Sequence, residues 1–144
     1  MKETKYDDKR VIHKATRMAL NKTQDWLANK IYVSASDISK YENAKKDGNL
    51  SDIYIERINK ALSYEFDRQV KDAHGEWYKN VLELKIAINI VELCKYNPKE
   101  QKKAYNNLLM PLLTKKNITP WIYIIKDPAF GDMELFDKEE EQDG

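Results

Sequence analysis

Apolar residues recur at helical spacing through most of the chain. Val11, Ile12, Ala15, Met18 and Ala19 predict a first helix over about 9–21. Thr23 is a good N-cap for a second helix, QDWLANKI, and Ser34 for a third, ASDISKYENA. KKDGN reads as a loop turning at Asp-Gly. Leu50, Ile53, Ile58, Ala61 and Leu62 predict a fourth helix, and a fifth starts near Ser63 and buries Tyr64, Phe66 and Val70. His74-Gly75 is the expected module boundary. Beyond it, LELKIAINI alternates as a strand would. Trp77, Val81, Leu84, Ile88 and Val91, however, follow the 4-3-4-3 spacing of a helical seam, and the helix is preferred. Pro98 suits the first turn of another helix, which runs to about Leu113, with Pro111 ending or kinking its last turn. WIYIIK, between Pro120 and Pro128, reads as a short strand at 121–126, and EEEQDG as disordered.

The expected fold is therefore mainly α. An N-terminal five-helix domain covers 9–72 and a mostly helical C-terminal module 76–130. An acidic tail covers 131–144.

Composition sharpens this in a few places. Only four Gly and four Pro in 144 residues argue against a turn-rich β fold. No long apolar run predicts a membrane span, and MKETKYDDKR lacks the apolar core of a signal peptide. Cys94 is the single cysteine and is expected in the core; with His13 and His74 far apart, no metal site or cofactor is expected. A reducing cytoplasm is the natural compartment. Charge is uneven along the chain. Residues 1–46 carry eleven Lys/Arg against six Asp/Glu, whereas residues 127–144 carry eight acids and one Lys. A basic N-terminal half suits a polyanionic partner.

Within Gln24–Asn43, QDWLANKIYVSASDISKYEN, the residue types match the demands of a helix-turn-helix, which packs two short helices at a steep angle. The crossing point needs a small residue, supplied by Ala28. The shared core needs apolar residues, supplied by Leu27, Ile31, Val33, Ile38 and Tyr41. Ser34 can cap the second helix. One position departs: Tyr32 stands in the turn, where Gly with positive φ is usual.

Together with Arg17 and the downstream IERINKAL, the stretch TQDWLANKIYVSASDISKYE resembles the Cro/C1 repressor-like (XRE-type) helix-turn-helix family, over about residues 9–70. The resemblance implies a lambda-repressor-like domain that reads double-stranded DNA. It implies a structural ion pair between Arg17 and Glu42. Ala35, Ser36, Asp37 and Lys40 would face the major groove, beside the cap Ser34. Gln24 would contact phosphate, as would Asn43, Lys45 and Lys46 after the recognition helix. For Asp37 a local cap or an ion pair is the simpler role. Members of the family bind palindromic operators as homodimers, and many are repressors; phages and other mobile elements often carry such regulators. Trp77, Val81, Leu84, Ile88 and Val91 are then candidates for a dimer interface, or for the core of a C-terminal bundle.

No Gly-rich phosphate loop, HExxH or GxSxG occurs, so no catalytic residue is expected. The rival reading is a protein-binding effector on the same scaffold, either an inhibitor of a host defence nuclease or an antitoxin. It would act through the C-terminal module.

Overall fold

The computed structural model describes residues 4–45, 47–73 and 75–114, and among them the protein is helical with no strand. The order is α1 (Lys9–Ala19), α2 (Gln24–Ile31), α3 (Ala35–Glu42), α4 (Asp52–Asp72), α5 (Glu76–Leu93), α6 (Pro98–Ala104), a π-helical segment (Tyr105–Leu109) and α7 (Met110–Leu113). The strand expected at 121–126 and the tail at 131–144 lie outside the described residues. No helix among the described residues is long and apolar enough to cross a membrane.

Two apolar clusters form the interior. One joins Leu20, Leu27, Ala28, Ile31, Ile38, Tyr41, Ile58, Leu62 and Leu82. The other joins Ala15 of α1 to Leu84, Ala87, Ile88, Ile90, Val91 and Cys94, and then to Ala104 and Leu109. Helix α1 belongs to both sides. Its cap Asp8 accepts from the Arg10 backbone N–H at 2.9 Å, and the helix turns His13 and Arg17 toward α3 and Ala15 toward α5.

The expected fourth and fifth helices are one helix, α4, of 21 residues. Nothing in its sequence breaks it, since neither Gly nor Pro occurs between Asp52 and Asp72. Ion pairs one turn apart flank the expected break on both sides: Glu56–Lys60 before it, Glu65–Arg68 and Arg68–Asp72 after it. Phe66 and Val70 pack on the first cluster, but Tyr64, expected to be buried, is 75% exposed.

Residues 76–93 form a helix, as the seam spacing predicts. Gly75 precedes it at φ 141°, a backbone value that favours glycine. The seam does not supply a dimer face. Val81, Leu84, Ile88 and Val91 are buried within their own chain, mostly against α1 and the π segment. Trp77 sits at the surface, and its indole N–H donates to the Ala73 carbonyl at the end of α4, at 3.1 Å. Ten apolar residues among the fourteen from Val81 to Cys94 are thus accounted for by burial on two sides of one chain. Cys94 is fully buried, and burial pushes its thiol up to about 11.

Pro111 does not stop the last helix. The turn before it widens, and the Met110 N–H reaches back to the Tyr105 carbonyl. A π turn relieves the clash that a proline ring makes with the carbonyl four residues back, so the helix continues to Leu113.

Candidate nucleic-acid interface

The α2–α3 unit is built from local signals that the sequence carries. Thr23 accepts from the Trp26 N–H at 3.0 Å and starts α2. Ala28 is buried at the crossing, and its carbonyl accepts from both the Tyr32 and the Val33 N–H. Tyr32 ends α2 in the left-handed region, at φ 64° and ψ 43°, with its side chain 83% exposed. Ser34 then opens α3 with a reciprocal capping box. Its hydroxyl accepts from the Asp37 N–H at 3.0 Å, and its own N–H donates to Asp37 Oδ2 at 3.1 Å. Leu27, Ile31, Ile38 and Tyr41 close the core beneath, with Val33 half-buried at its edge.

Arg17 and Glu42 form the polar centre behind this unit. Arg17 Nε donates to Glu42 Oε2 at 2.7 Å, and Arg17 Nη2 to Oε1 at 2.9 Å. Arg17 Nη1 donates to the Lys22 carbonyl at 2.8 Å. The side chains are 10% and 1% exposed, so the pair is shielded and two-pronged. It fixes the last residue of α3 to α1.

Gln24 takes part in the same network, donating from Nε2 to Glu42 Oε1 at 2.9 Å. One of its two amide hydrogens is spent there, and Gln24 is half-buried at the start of α2.

The remaining candidates lie along α3 and just after it. Ser36, Lys40 and Asn43, spaced four and three apart, share one face of α3, with Ser36 and Asn43 exposed. Ala35 is partly buried against the core cluster, so only part of its methyl faces outward. Asp37 is committed to the cap, and its hydrogen bonds from Ser34 hold its carboxyl below the usual carboxylate range. Lys40 Nζ lies 2.9 Å from Asp47 Oδ2 in the following loop; that contact raises the Lys40 pKa and lowers that of Asp47. Asn43 caps the end of α3, and Lys45 is exposed beyond it. Lys46 lies outside the described residues.

Several supporting residues escape a motif-based reading. Arg10 Nη1 donates to the carbonyls of Tyr41, at 2.6 Å, and Gly48, at 3.4 Å, and Nη2 donates to Asn49 Oδ1. This clamps the loop after α3. Gly48 is required there, since a Cβ would stand 2.3 Å from the Lys40 carbonyl oxygen.

Behind α3, buried His13 bridges Tyr41 and Asn59. Asn59 Oδ1 can only accept, so His13 Nε2 carries the proton and Nδ1 accepts from the Tyr41 hydroxyl at 2.8 Å. Burial lowers the His13 pKa and pushes the Tyr41 hydroxyl up to about 12. The only sequence signal for this bridge is a histidine on the inward stripe of α1.

No group of His, Cys, Asp and Glu among the described residues is placed to hold a metal. Compared with models of known protein families, with curated proteins and with solved structures, the chain gives no match.

Proposed function

We propose that the protein is a sequence-specific, double-stranded-DNA-binding transcriptional regulator, acting as a dimeric repressor, with α2–α3 as its helix-turn-helix. The observation that carries this reading is the α2–turn–α3 geometry itself. Tyr32 in the left-handed turn, the capping box at Ser34 and the shielded Arg17–Glu42 pair together hold α3 rigidly at the surface. Ser36 and Lys40 then contact base edges, and Gln24, Asn43 and Lys45 contact phosphates. Dimer contacts must come from a surface other than the α5 seam, which is spent inside the chain.

Selection of DNA from a random pool at two salt concentrations tests the proposal. A palindromic consensus whose affinity falls steeply with salt is the expected outcome. Failure to enrich any sequence, or full binding by the Ser36→Ala/Lys40→Ala variant, overturns it.

A second reading is favoured by the sparse chemistry of α3. Asp37 places a carboxylate at the end that would enter the groove, and Lys40 is paired. Under it the scaffold binds a protein instead, as a nuclease inhibitor or antitoxin. Retained biological activity in the Ser36→Ala/Lys40→Ala variant selects it.

A further inference from the structure

A groove of about 460 Å³ runs between α2 and the middle of α4. Arg57, Lys60, Tyr64 and Arg68 line one wall, at positions that stripe a single face of α4. Trp26 and Lys30 line the other. The charge on these walls is one-sided, since four cations face a single acid, Glu65. Arg68 is paired with Glu65 and Asp72, and Lys60 with Glu56. Lys30 and Arg57 have no acid partner among the described residues. They lie instead over aromatic rings, Lys30 at 5.8 Å from Trp26 and Arg57 at 5.3 Å from Tyr54. Tyr64 offers a ring that is 75% exposed. Cations without an acid partner, beside the exposed Tyr64 ring and the edge of Trp26, fit a segment that interleaves carboxylates with aromatic and aliphatic side chains.

The chain contains such a segment. Residues 127–144 read DPAFGDMELFDKEEEQDG, with Phe130, Met133, Leu135 and Phe136 set among eight acids. Residues 1–126 carry twenty-four Lys/Arg against sixteen Asp/Glu, so the two parts are opposite in sign. The tether is sufficient. Fifteen residues separate Thr114 from Phe130, and an extended chain spans at most about 3.3–3.6 Å per residue, or roughly 50 Å. A body of this size has a radius of gyration of only about 13 Å. Tethering also gives the segment an effective concentration on the order of millimolar, which a free ligand would have to outcompete.

We propose that residues 127–144 dock in the α2–α4 groove of their own chain. Phe130 and Phe136 lie against Trp26 and Tyr64, and the carboxylates face Lys30 and Arg57. Docked there, the segment competes in cis with any polyanion for these cations. The proposal does not depend on what α3 contacts.

Zero-length carbodiimide cross-linking of the full chain, mapped by mass spectrometry, tests it. Lys30 and Lys60 are expected to link to carboxylates within 132–143. Yields should hold through a tenfold dilution and fall in about 1 M salt, where the screening length is about 3 Å. Phe130→Ser/Phe136→Ser should lower them severalfold, while the Lys60–Glu56 link, present in every sample, reports that α4 is intact. Equal linkage to the exposed Lys79, Lys99 and Lys102 overturns the proposal. So do links that form only between chains, which assign the groove to a second copy. Absence of tail links, with Lys30 and Lys60 shielded from acetylation by added duplex DNA, also overturns it in favour of nucleic acid.

Discussion

Replacing Glu42 by Ala isolates the largest single polar contribution in the α2–α3 unit. Glu42 accepts two hydrogen bonds from Arg17 and one from Gln24, and its side chain is 1% exposed. Its removal leaves Arg17, 10% exposed, with only the Lys22 carbonyl as a partner. Summing three charge-assisted hydrogen bonds would exceed what a marginally stable domain can lose. The relevant quantity is the cost of stranding a shielded charge, about 3–5 kcal/mol. Because the guanidinium retains slight access to water, the lower end applies, about 3 kcal/mol. With a urea dependence of about 1–3 kcal/mol per molar, the unfolding midpoint should fall by about 1–3 M. Arg17→Met/Glu42→Leu removes both charges, strands neither, and should cost less than Glu42→Ala alone. Gln24→Ala leaves the pair intact and should cost only about 0.5–1.5 kcal/mol. Urea melts followed by far-ultraviolet circular dichroism read all three variants. If Glu42→Ala loses under about 1 kcal/mol with an unchanged denaturant slope, the pair is not shielded and the reasoning fails.

Three further outcomes follow from single positions. Tyr32→Gly removes an exposed ring and relieves a left-handed residue, so a thermal melt should show it unchanged or more stable by up to about 1 kcal/mol; a clear loss would mean that the ring supports the turn. Gly48→Ala forces a methyl against the Lys40 carbonyl and should cost about 1–3 kcal/mol, with faster hydrogen exchange at the Lys45 and Gly48 amides. His13 has a folded pKa below its unfolded value, so the unfolded state binds the proton more tightly. Its contribution is therefore complete above the unfolded pKa of about 6.5 and shrinks as pH falls toward the lower folded value. Urea midpoints at several pH values should show a slope in this window for the native chain, and a flatter one for His13→Gln.

Features set by neighbours in sequence are the ones the sequence exposes. Thr23 and Ser34 announce helix starts because a cap acts within three residues. Ala28 and Tyr32 are readable because a tight helix crossing constrains single positions. Arg17–Glu42 spans twenty-five residues, and only the resemblance to a known family pointed to it. The His13–Tyr41 and His13–Asn59 contacts span 28 and 46 residues and carry no comparable pattern. The α5 seam shows the same limit. Its spacing establishes a helix with a buried side, but an apolar side chain does not name its partner. Here the partner is α1 of the same chain, which is why the expected dimer face is occupied. The break expected near Ser63 failed for another reason: the apolar stripe runs on through Ile58, Leu62, Phe66 and Val70, with no Gly or Pro to interrupt it.

The polar groups around α3 bear directly on how it could read DNA. Gln24 is engaged with Glu42, Asp37 with the cap and Lys40 with Asp47. Each commitment has a different exchange cost. The Lys40–Asp47 pair is exposed on both sides, and exposed pairs contribute only about 0–1 kcal/mol. Lys40 can therefore leave Asp47 for a phosphate or a guanine edge at little expense. Asp37 cannot leave Ser34 without giving up the reciprocal half of the capping box, its acceptance from the Ser34 N–H, at a cost of about 0.5–1.5 kcal/mol. In the proposed complex Lys40 swings to DNA while Asp37 stays in place and excludes phosphate from its side of the helix. Asp47→Asn should then tighten DNA binding by freeing Lys40 in advance, whereas Asp37→Asn should change sequence preference more than affinity. If Asp47→Asn weakens binding, Asp47 is positioning Lys40 rather than restraining it, and the order of events is reversed.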